Sequence, residues 1–506
     1  MKPMYLAKLL EAGGVAPLMR RGDAPIESVV ADSRRVAAGG CFVALRGPDH
    51  DGHRYIAQAV AAGCAAVVCE DATAVPEGVA CAVVADTRVA AAALAQAWHG
   101  WPARRLTVIG ITGTKGKSTV AYLVRAVLAG AGMQAGLLGT ISYETGLRSA
   151  AAGNTTPGPV ELAEMMDEMV RAGKTHLVME VSSHALDQRR TAGVEFRVGV
   201  FTNFTGDHLD YHKTMEEYLR AKRSLFEGLS ERATAVLNQD DATGRQMAGA
   251  SRAGVVWYGL SAAADVHARI ERIDAGGTHF VLIGGGAEAP VATALIGRHN
   301  VYNCLAAAGT GVALGIELPT VARALETMSA VPGRLQRVGV AAEYQVFVDY
   351  AHTDDALEKA LSAIRPLGAG RLIVVFGCGG DRDRTKRPRM ARVVAALADR
   401  LVITSDNPRS EEPGAIIAEI VAGLDEAGRA KTAVEADRRA AIRQAIGEAR
   451  AGDIVLIAGK GHETYQIIGD RRIHFDDAEV AAECMQGRPS AVAPCPERAG
   501  EGKGRS

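Results

Sequence analysis

The sequence predicts an α/β protein of three domains: a small N-terminal α/β domain, a central P-loop ATPase-like domain with a mainly parallel sheet, and a C-terminal, Rossmann-like doubly wound domain. Three observations predict it. At 506 residues the chain is longer than one hydrophobic core covers. Short apolar runs alternate with helix-length stretches along most of it. A glycine-rich loop, Gly110-Ile-Thr-Gly-Thr-Lys-Gly-Lys-Ser-Thr119, follows one such run and opens a helical pattern.

The N-terminal domain is expected over residues 1–101. Cys41-Phe-Val-Ala-Leu45, Ala65-Ala-Val-Val68 and Ala82-Val-Val-Ala85 read as strands, with a helical stretch from Tyr55 to Ala62 among them. The polar segments Asp32-Ser-Arg-Arg35 and Arg46-Gly-Pro-Asp-His-Asp-Gly-His53 are rich in hydrogen-bonding groups, yet by spacing alone they are ordinary surface turns. Trp101-Pro102 marks the boundary.

The central domain is expected over 102–331. Leu106-Thr-Val-Ile109 leads into the glycine-rich loop, and Val120 to Leu128 continues as a helix. Strand, loop and helix in that order aim several backbone N–H groups at one point, with the positive end of the helix dipole behind them. That is a phosphate cradle. Lys117 is placed to reach the outer phosphates and Ser118 to offer its hydroxyl to Mg²⁺. The strict motif has four residues between its first glycine and the Gly-Lys pair, whereas five separate Gly110 from Gly116 here. A glycine-rich turn without a ligand is the plain alternative.

Leu177-Val-Met-Glu180 reads as a buried strand ending in a carboxylate. Ligands of open α/β sheets gather at the carboxyl ends of strands, so Glu180 is a candidate Mg²⁺ ligand; a helix N-cap partner is the alternative. Val198-Gly-Val-Phe201 leads into Thr202-Asn-Phe-Thr-Gly-Asp-His-Leu-Asp-Tyr-His212, whose aspartates and histidines either serve a site or are held by the loop's own hydrogen bonds. Lys222, on a helical stretch from Met215 to Phe226, is by default a solvated cation. Asn300 and Asn303 are one helical turn apart and can present a donor and an acceptor to a purine edge.

The C-terminal domain is expected over 332–487, with a disordered tail from 488 to 506. Val346-Phe-Val348, Leu372-Ile-Val-Val-Phe376, Leu401-Val-Ile403 and Ile454-Val-Leu-Ile457 have the spacing of a doubly wound sheet. Each delivers polar residues: Asp349-Tyr-Ala-His352, Gly377-Cys-Gly-Gly-Asp-Arg-Asp-Arg384, Thr404-Ser-Asp-Asn-Pro-Arg409 and Gly459-Lys-Gly-His-Glu463. One polar strand end is ordinary; four on one sheet edge argue for a site.

The balance of 57 basic and 58 acidic residues gives no reason to expect a nucleic-acid or membrane partner. No leader and no apolar run of membrane-spanning length is visible, so a cytoplasmic protein is expected, without membrane insertion and monomeric. The eight cysteines lack Cys-x-x-Cys or zinc spacing, and most are expected to be reduced and buried.

Taken together, these stretches resemble, from about Asp32 to Phe475, the ATP-dependent Mur ligases of bacterial cell-wall synthesis. Thr112-Gly-Thr-Lys-Gly-Lys-Ser118 resembles that family's phosphate loop, which accounts for the five-residue spacing. The likeness is greatest to members that join meso-2,6-diaminopimelate to the D-glutamyl γ-carboxylate of UDP-N-acetylmuramoyl-L-alanyl-D-glutamate through an acyl phosphate. It implies ATP and Mg²⁺ as cofactors. By this resemblance Lys117, Lys222, Glu180 and His208 would be catalytic, and Ser118, Glu180, His208 and Lys222 as its carbamate would hold the metal. An ammonium beside Mg²⁺ and triphosphate would be repelled, whereas CO₂ addition makes it an anion.

The resemblance further implies that Gly113, Thr114, Lys115, Gly116, Lys117, Ser118 and Thr119 bind ATP, with Asn300, Asn303, Arg334, Asp349 and His352. Ser33, Pro48, Asp49, His50, Asn154, Thr155, Thr156, Ser182, Gln188 and Arg190 would contact the UDP-linked substrate. Arg382, Asp406, Asn407, Pro408, Arg409, Gly459 and Glu463 would read diaminopimelate. Arg409 can fork onto its distal carboxylate while Asp406 and Glu463 balance the ammonium. Lysine-adding relatives lack this Asp-Asn-Pro-Arg pattern. Three loop positions depart from the family: Lys115 where asparagine is frequent, Gly206 where a larger polar residue is common, and Asp354 where proline usually follows Thr353. A folylpolyglutamate-synthetase-like ligase shares the loop and the modified lysine, but Asp406-Asn-Pro-Arg409 and the N-terminal domain argue against it.

Overall fold

The computed structural model describes residues 4–47, 51–274, 276–339 and 343–486. The tail expected to be disordered lies outside them. The chain divides into two compact units, one through Val331 and one from Pro332 onward.

In the first unit the N-terminal segment forms a five-stranded sheet in the order Met19–Arg21, Ala80–Val83, Ala66–Cys69, Gly40–Val43, Ser28–Val30. All pairs are parallel except the first. The inner strands, built from Ala, Val, Cys and Phe, are buried on both faces, as a covered parallel sheet requires. Helix Thr87–Trp98, capped by Asp86, packs against helix Pro159–Arg171, and Gln96 Nε2 lies 3.4 Å from Met166 Sδ. The two segments thus share a core boundary within one unit.

The second sheet of this unit has eleven strands. Its centre is parallel, in the order Ala135–Leu138, His176–Glu180, Thr107–Thr112, Phe196–Phe201, Thr234–Asn238, Gly254–Gly259. Helices Lys117–Gly130, Arg298–Ala313 and Leu318–Glu326 cover one face. Pro159–Arg171, Met215–Glu227 and Gly244–Ala250 cover the other. Burying each Val or Leu of these strands contributes about 1.5–3 kcal/mol, which fixes the strands and so the positions of their ends. The parallel centre matches expectation, but an antiparallel meander, Val266–Asp274, Gly277–Gly284 and Ala287–Thr293, extends one side. Its last strand alternates buried and exposed residues, the pattern of a sheet with one solvated face.

The second unit holds a six-stranded sheet in the order Gln336–Val338, Gln345–Asp349, Ile454–Ala458, Leu372–Phe376, Arg400–Ile403, Thr432–Val434, parallel except for the first strand. The four strands with polar ends are consecutive neighbours, so those ends share the carboxyl edge. A hairpin, Tyr465–Ile468 and Arg471–His474, follows the last of them. Among the described residues no helix is long and apolar enough to cross a membrane. The seven described cysteines are free thiols, six of them buried.

Candidate active site

The glycine-rich loop leaves strand Thr107–Thr112 and enters helix Lys117–Gly130. Gly113 and Gly116 have φ of 146° and 85°. A Cβ would stand 1.9 Å from Thr202 Oγ1 at the first and 2.5 Å from Asn303 Oδ1 at the second, so neither position admits a side chain. The segment after strand Phe196–Phe201 crosses the loop. Thr114 N donates to the Asn203 carbonyl at 2.8 Å, and Lys115 N donates to Asn203 Oδ1 at 3.0 Å. Ser118 and Thr119 lie buried in the first turn of the helix.

Two lysines converge on this loop. Lys117 Nζ donates to the Gly113 and Thr114 carbonyls, both at 3.0 Å, and Lys222 Nζ donates to the same Gly113 carbonyl at 2.7 Å. Lys222 is 1% exposed, so its default placement in solvent is wrong: the buried face of helix Met215–Glu227 carries it, with Tyr218, Leu225 and Phe226. Burial, reinforced by the charge of Lys117, pushes its pKa well below that of an ordinary lysine. Its Nζ also lies 4.3 Å from the centre of the Tyr218 ring.

His208, in a left-handed conformation at φ 54°, caps the short helix Leu209–His212. Partial burial lowers its pKa and Lys117 and Lys222 lower it further, while Asp207 acts the other way. Its ring centre is 4.9 Å from that of His184, which is 5.4 Å from that of His212. Burial, aided by these two neighbours, pushes His184 down to about 4. The Thr202–His212 segment is held only in part by its own bonds, such as His212 N to the His208 carbonyl at 3.0 Å. It also reaches outward, with His212 Nε2 2.9 Å from Ser183 Oγ and Phe204 N donating to Asp241 at 2.9 Å.

Glu180, 1% exposed, accepts from Thr140 N at 2.8 Å and from Thr140 Oγ1 at 3.1 Å. It is not a helix cap; Ser182 caps helix Ser183–Asp187 by accepting from Ala185 N. Among the described residues no three His, Cys, Asp or Glu side chains form a group that could hold a metal by themselves.

Of the residues expected to contact the UDP-linked substrate, Thr155, Thr156, Ser182, Gln188 and Arg190 belong to one chain of bonds in the first unit. Thr155 Oγ1 is 3.1 Å from Thr140 Oγ1, Thr156 Oγ1 donates to the Glu180 carbonyl at 2.8 Å, and Ser182 N donates to Thr156 Oγ1 at 3.0 Å. Arg190 donates to Gln188 Oε1 at 2.7 Å and to the Thr156 carbonyl at 2.9 Å. The Tyr143 hydroxyl holds Asn154 by its backbone. Ser33 belongs to a turn capped by Asp32 and donates to Gln58 at 3.1 Å. Pro48, Asp49 and His50 lie outside the described residues. Asn300 is occupied within its own helix, donating to the Ile296 carbonyl and accepting from Asn303 Nδ2 at 2.9 Å. Asn303 Oδ1 is thereby turned toward Gly116.

In the second unit Asp349 accepts from Leu335 N and Ala351 N, at 2.7 and 2.8 Å, and the Arg334 guanidinium lies 5.1 Å from the Tyr350 ring centre. Loss of solvent raises the Asp349 pKa and Arg334 opposes it. His352 is exposed, with its Nδ1 2.7 Å from the Tyr350 carbonyl. Asp406 lines the backbone at Gly459, where a Cβ would be 2.6 Å from its Oδ2. Asn407 Nδ2 donates to Glu463 at 2.8 Å, Pro408 abuts Gly380, and Arg409 Nη1 donates to the Gly380 carbonyl at 2.7 Å. Arg382 is exposed and donates to the neighbouring Asp381 carbonyl at 3.4 Å.

Several contributors were not singled out in the sequence. Buried Lys460 pairs with Glu463 at 3.2 Å, so that carboxylate already has a cation; the i,i+3 spacing was the available signal. Buried Arg387 binds Glu411 and Glu419, each at 2.8 Å. Gln466 of the hairpin donates to the Asp406 carbonyl at 2.7 Å, and Ile467 N donates to Asn407 Oδ1 at 2.9 Å. Nothing local marks either hairpin contact.

Known proteins resemble this chain along its length. Residues 25–101 match the family model of the Mur ligase family catalytic domain, 111–311 that of the Mur ligase middle domain, and 333–461 that of the Mur ligase glutamate ligase domain. A UDP-N-acetylmuramoyl-L-alanyl-D-glutamate–2,6-diaminopimelate ligase of Geobacter metallireducens is 46% identical over 497 residues, covering 94% of this chain and 96% of that one. The ligase of the same name from Geobacillus kaustophilus is 46% identical over 473 residues, covering 92% and 96%. A solved structure of a ligase with that name superposes with a TM-score of 0.65 at 31% identity, covering 91% of this chain and 95% of that one. With likeness running through both units and along nearly the full length of such relatives, this chain belongs to the Mur ligase family.

Proposed function

We propose that this chain is an ATP-dependent amide-bond ligase that adds meso-2,6-diaminopimelate to the D-glutamyl γ-carboxylate of UDP-N-acetylmuramoyl-L-alanyl-D-glutamate, in the cytoplasm and as a monomer. The observation that carries the reading is the pair of lysines, Lys117 and Lys222, meeting on the Gly113 carbonyl of a phosphate loop. The relatives named above support the choice of substrates. In this reading residues 1–101 take the uridine end, 102–331 the ATP, and 332–487 the amino acid.

A carboxylate acylates poorly because its leaving group would be oxide. Attack of the γ-carboxylate on the γ-phosphate of ATP gives an acyl phosphate and ADP. The neutral amine of diaminopimelate then attacks the acyl carbon, and the tetrahedral oxyanion collapses to the amide and inorganic phosphate. Lys117 offsets the charge on the transferring phosphoryl group. Arg190 and Gln188, already bonded to each other, hold the peptidyl substrate in register. Arg409 forks onto the distal carboxylate of the amino acid, and Asp406 faces its ammonium.

Mg²⁺, when bound, neutralises charge between the phosphates. Ser118, Glu180 and a carbamate on Lys222 would supply the oxygens a hard cation prefers, with His208 as a nitrogen donor beside them, whereas an ammonium at Lys222 would repel it. The support for that modification is the burial of Lys222, whose depressed pKa favours the neutral amine that adds CO₂. Mass analysis of the intact chain under CO₂ is expected to find one added CO₂ at Lys222, absent in Lys222→Met.

The test of function is release of inorganic phosphate with a panel of amino acids. Release is expected only with both the UDP-linked dipeptide and an amino acid, and far faster with diaminopimelate than with lysine. Arg409→Ala is expected to reduce that preference by roughly ten- to a hundred-fold, the worth of a charge-assisted pair. Release indifferent to both substrates would point instead to a nucleotide-driven scaffold.

A further inference from the structure

The phosphate loop is one residue longer than the strict spacing allows, and four hydrogen bonds between it and Thr202 and Asn203 tie it to the segment that crosses it. We propose that Asn203 is a positioning residue for this loop, pairing its side-chain amide with both backbone groups of Lys115. The inference rests on the reading that the loop receives the phosphates of ATP.

The geometry is that of a strand rung made by a side chain. Asn203 Oδ1 accepts from Lys115 N at 3.0 Å, and Asn203 Nδ2 donates to the Lys115 carbonyl at 3.0 Å. A carboxamide is the side-chain group that offers an acceptor and a donor side by side in this way. The main chain adds a third bond, from Thr114 N to the Asn203 carbonyl at 2.8 Å, and Thr202 Oγ1 adds a fourth, to the Lys115 carbonyl at 2.7 Å. The clamp is itself anchored in the sheet. Thr202 N donates to the Thr112 carbonyl at 3.0 Å, and Asn238 Nδ2 donates to the Thr202 carbonyl at 2.9 Å.

The consequence reaches the reacting groups. Lys117 rests on the carbonyls of Gly113 and Thr114, and Lys222 on that of Gly113. These are the two residues just before Lys115, so release of Lys115 would let both carbonyls, and the lysines on them, drift. Asn203 acts through the loop and touches no reacting atom; its contribution is to order what the triphosphate meets.

The experiment compares wild type, Asn203→Leu and Asn203→Asp by calorimetric titration with MgADP and by steady-state kinetics. Leucine keeps the volume and removes both bonds; aspartate keeps the acceptor, loses the donor and serves if the leucine variant does not fold. Both are expected to bind MgADP roughly ten-fold more weakly, corresponding to about 1.4 kcal/mol. Their KM for ATP should rise while the KM for the UDP-linked dipeptide stays within two-fold, a split that general destabilisation would not produce. The proposal is overturned if wild type binds MgADP and the variants bind it equally well, or if both KM values rise together. Wild type that binds no adenine nucleotide would overturn the nucleotide reading itself, and this inference with it.

Discussion

The phosphate-loop region and the carboxyl edge of the C-terminal sheet both gather polar side chains at strand ends, but they settle their charges differently. At the loop, Lys117 and Lys222 rest on backbone carbonyls. At the C-terminal edge charge meets charge: Lys460 with Glu463, Arg387 with Glu411 and Glu419, Arg438 with Asp477. A hydrogen bond from a charged donor to a carbonyl has a net worth of about 1.5–3 kcal/mol, whereas breaking a fully buried ion pair such as Arg438 with Asp477 costs about 3–5 kcal/mol. The first region can therefore release Lys117 to an arriving polyphosphate at lower cost, while the second keeps its loops fixed by its ion pairs.

The sharpest way to break this contrast is Lys117→Met. It is expected to lower kcat/KM by roughly a thousand-fold in the phosphate-release assay, as loss of a group that offsets transition-state charge does. Activity near that of wild type would mean that Lys117 is not there for a phosphoryl group.

The C-terminal pairs are probed by acid. Arg387, bonded to Glu411, holds that carboxyl down to about 2, against an ordinary value of 4.5. The unfolded chain therefore takes up this proton at a higher pH than the folded one. The stability the pair contributes is complete above about pH 4.5 and is lost as the pH falls toward 2. Urea titrations at stepped pH should show the C-terminal unit weakening across that window, and Arg387→Met should flatten the dependence. An identical slope in the variant would deny the pair its place in holding the edge.

The smallest effect concerns the hairpin. Gln466→Leu leaves the Asp406 carbonyl without its donor, a loss of about 1 kcal/mol. The KM for the amino acid should rise roughly five-fold with the KM for ATP unchanged. Movement of both would show the hairpin to be general support rather than a brace for Asp406 and Asn407.

What could be read from the chain follows from how local each signal is. The parallel strands are legible because Leu372 to Phe376 and Ile454 to Ala458 are unbroken apolar runs, and the polar residues after them are visible by position alone. The meander from Val266 to Thr293 is not, since its strands mix charged and apolar residues and gain their identity only by pairing. Lys222 is a surface lysine by every local criterion; its burial is set by Tyr218, Phe226 and the loop that folds onto it. Asn203 lies in a segment that drew notice for its aspartates and histidines, while its own partners are 88 positions away. The amide of Asn300 bonds to Ile296 and Asn303, close neighbours along the chain.

The fully buried pair of Arg438 and Asp477 spans 39 positions, and the same guanidinium holds the carbonyls of Ser405 and Ala458. A guanidinium stripped of water needs its carboxylate, so the interior of this unit cannot seal before the ribosome has added Asp477. A message cut short between these two codons would thus yield not a slightly trimmed enzyme but a polypeptide with a charge it cannot hide, a ready target for proteolysis.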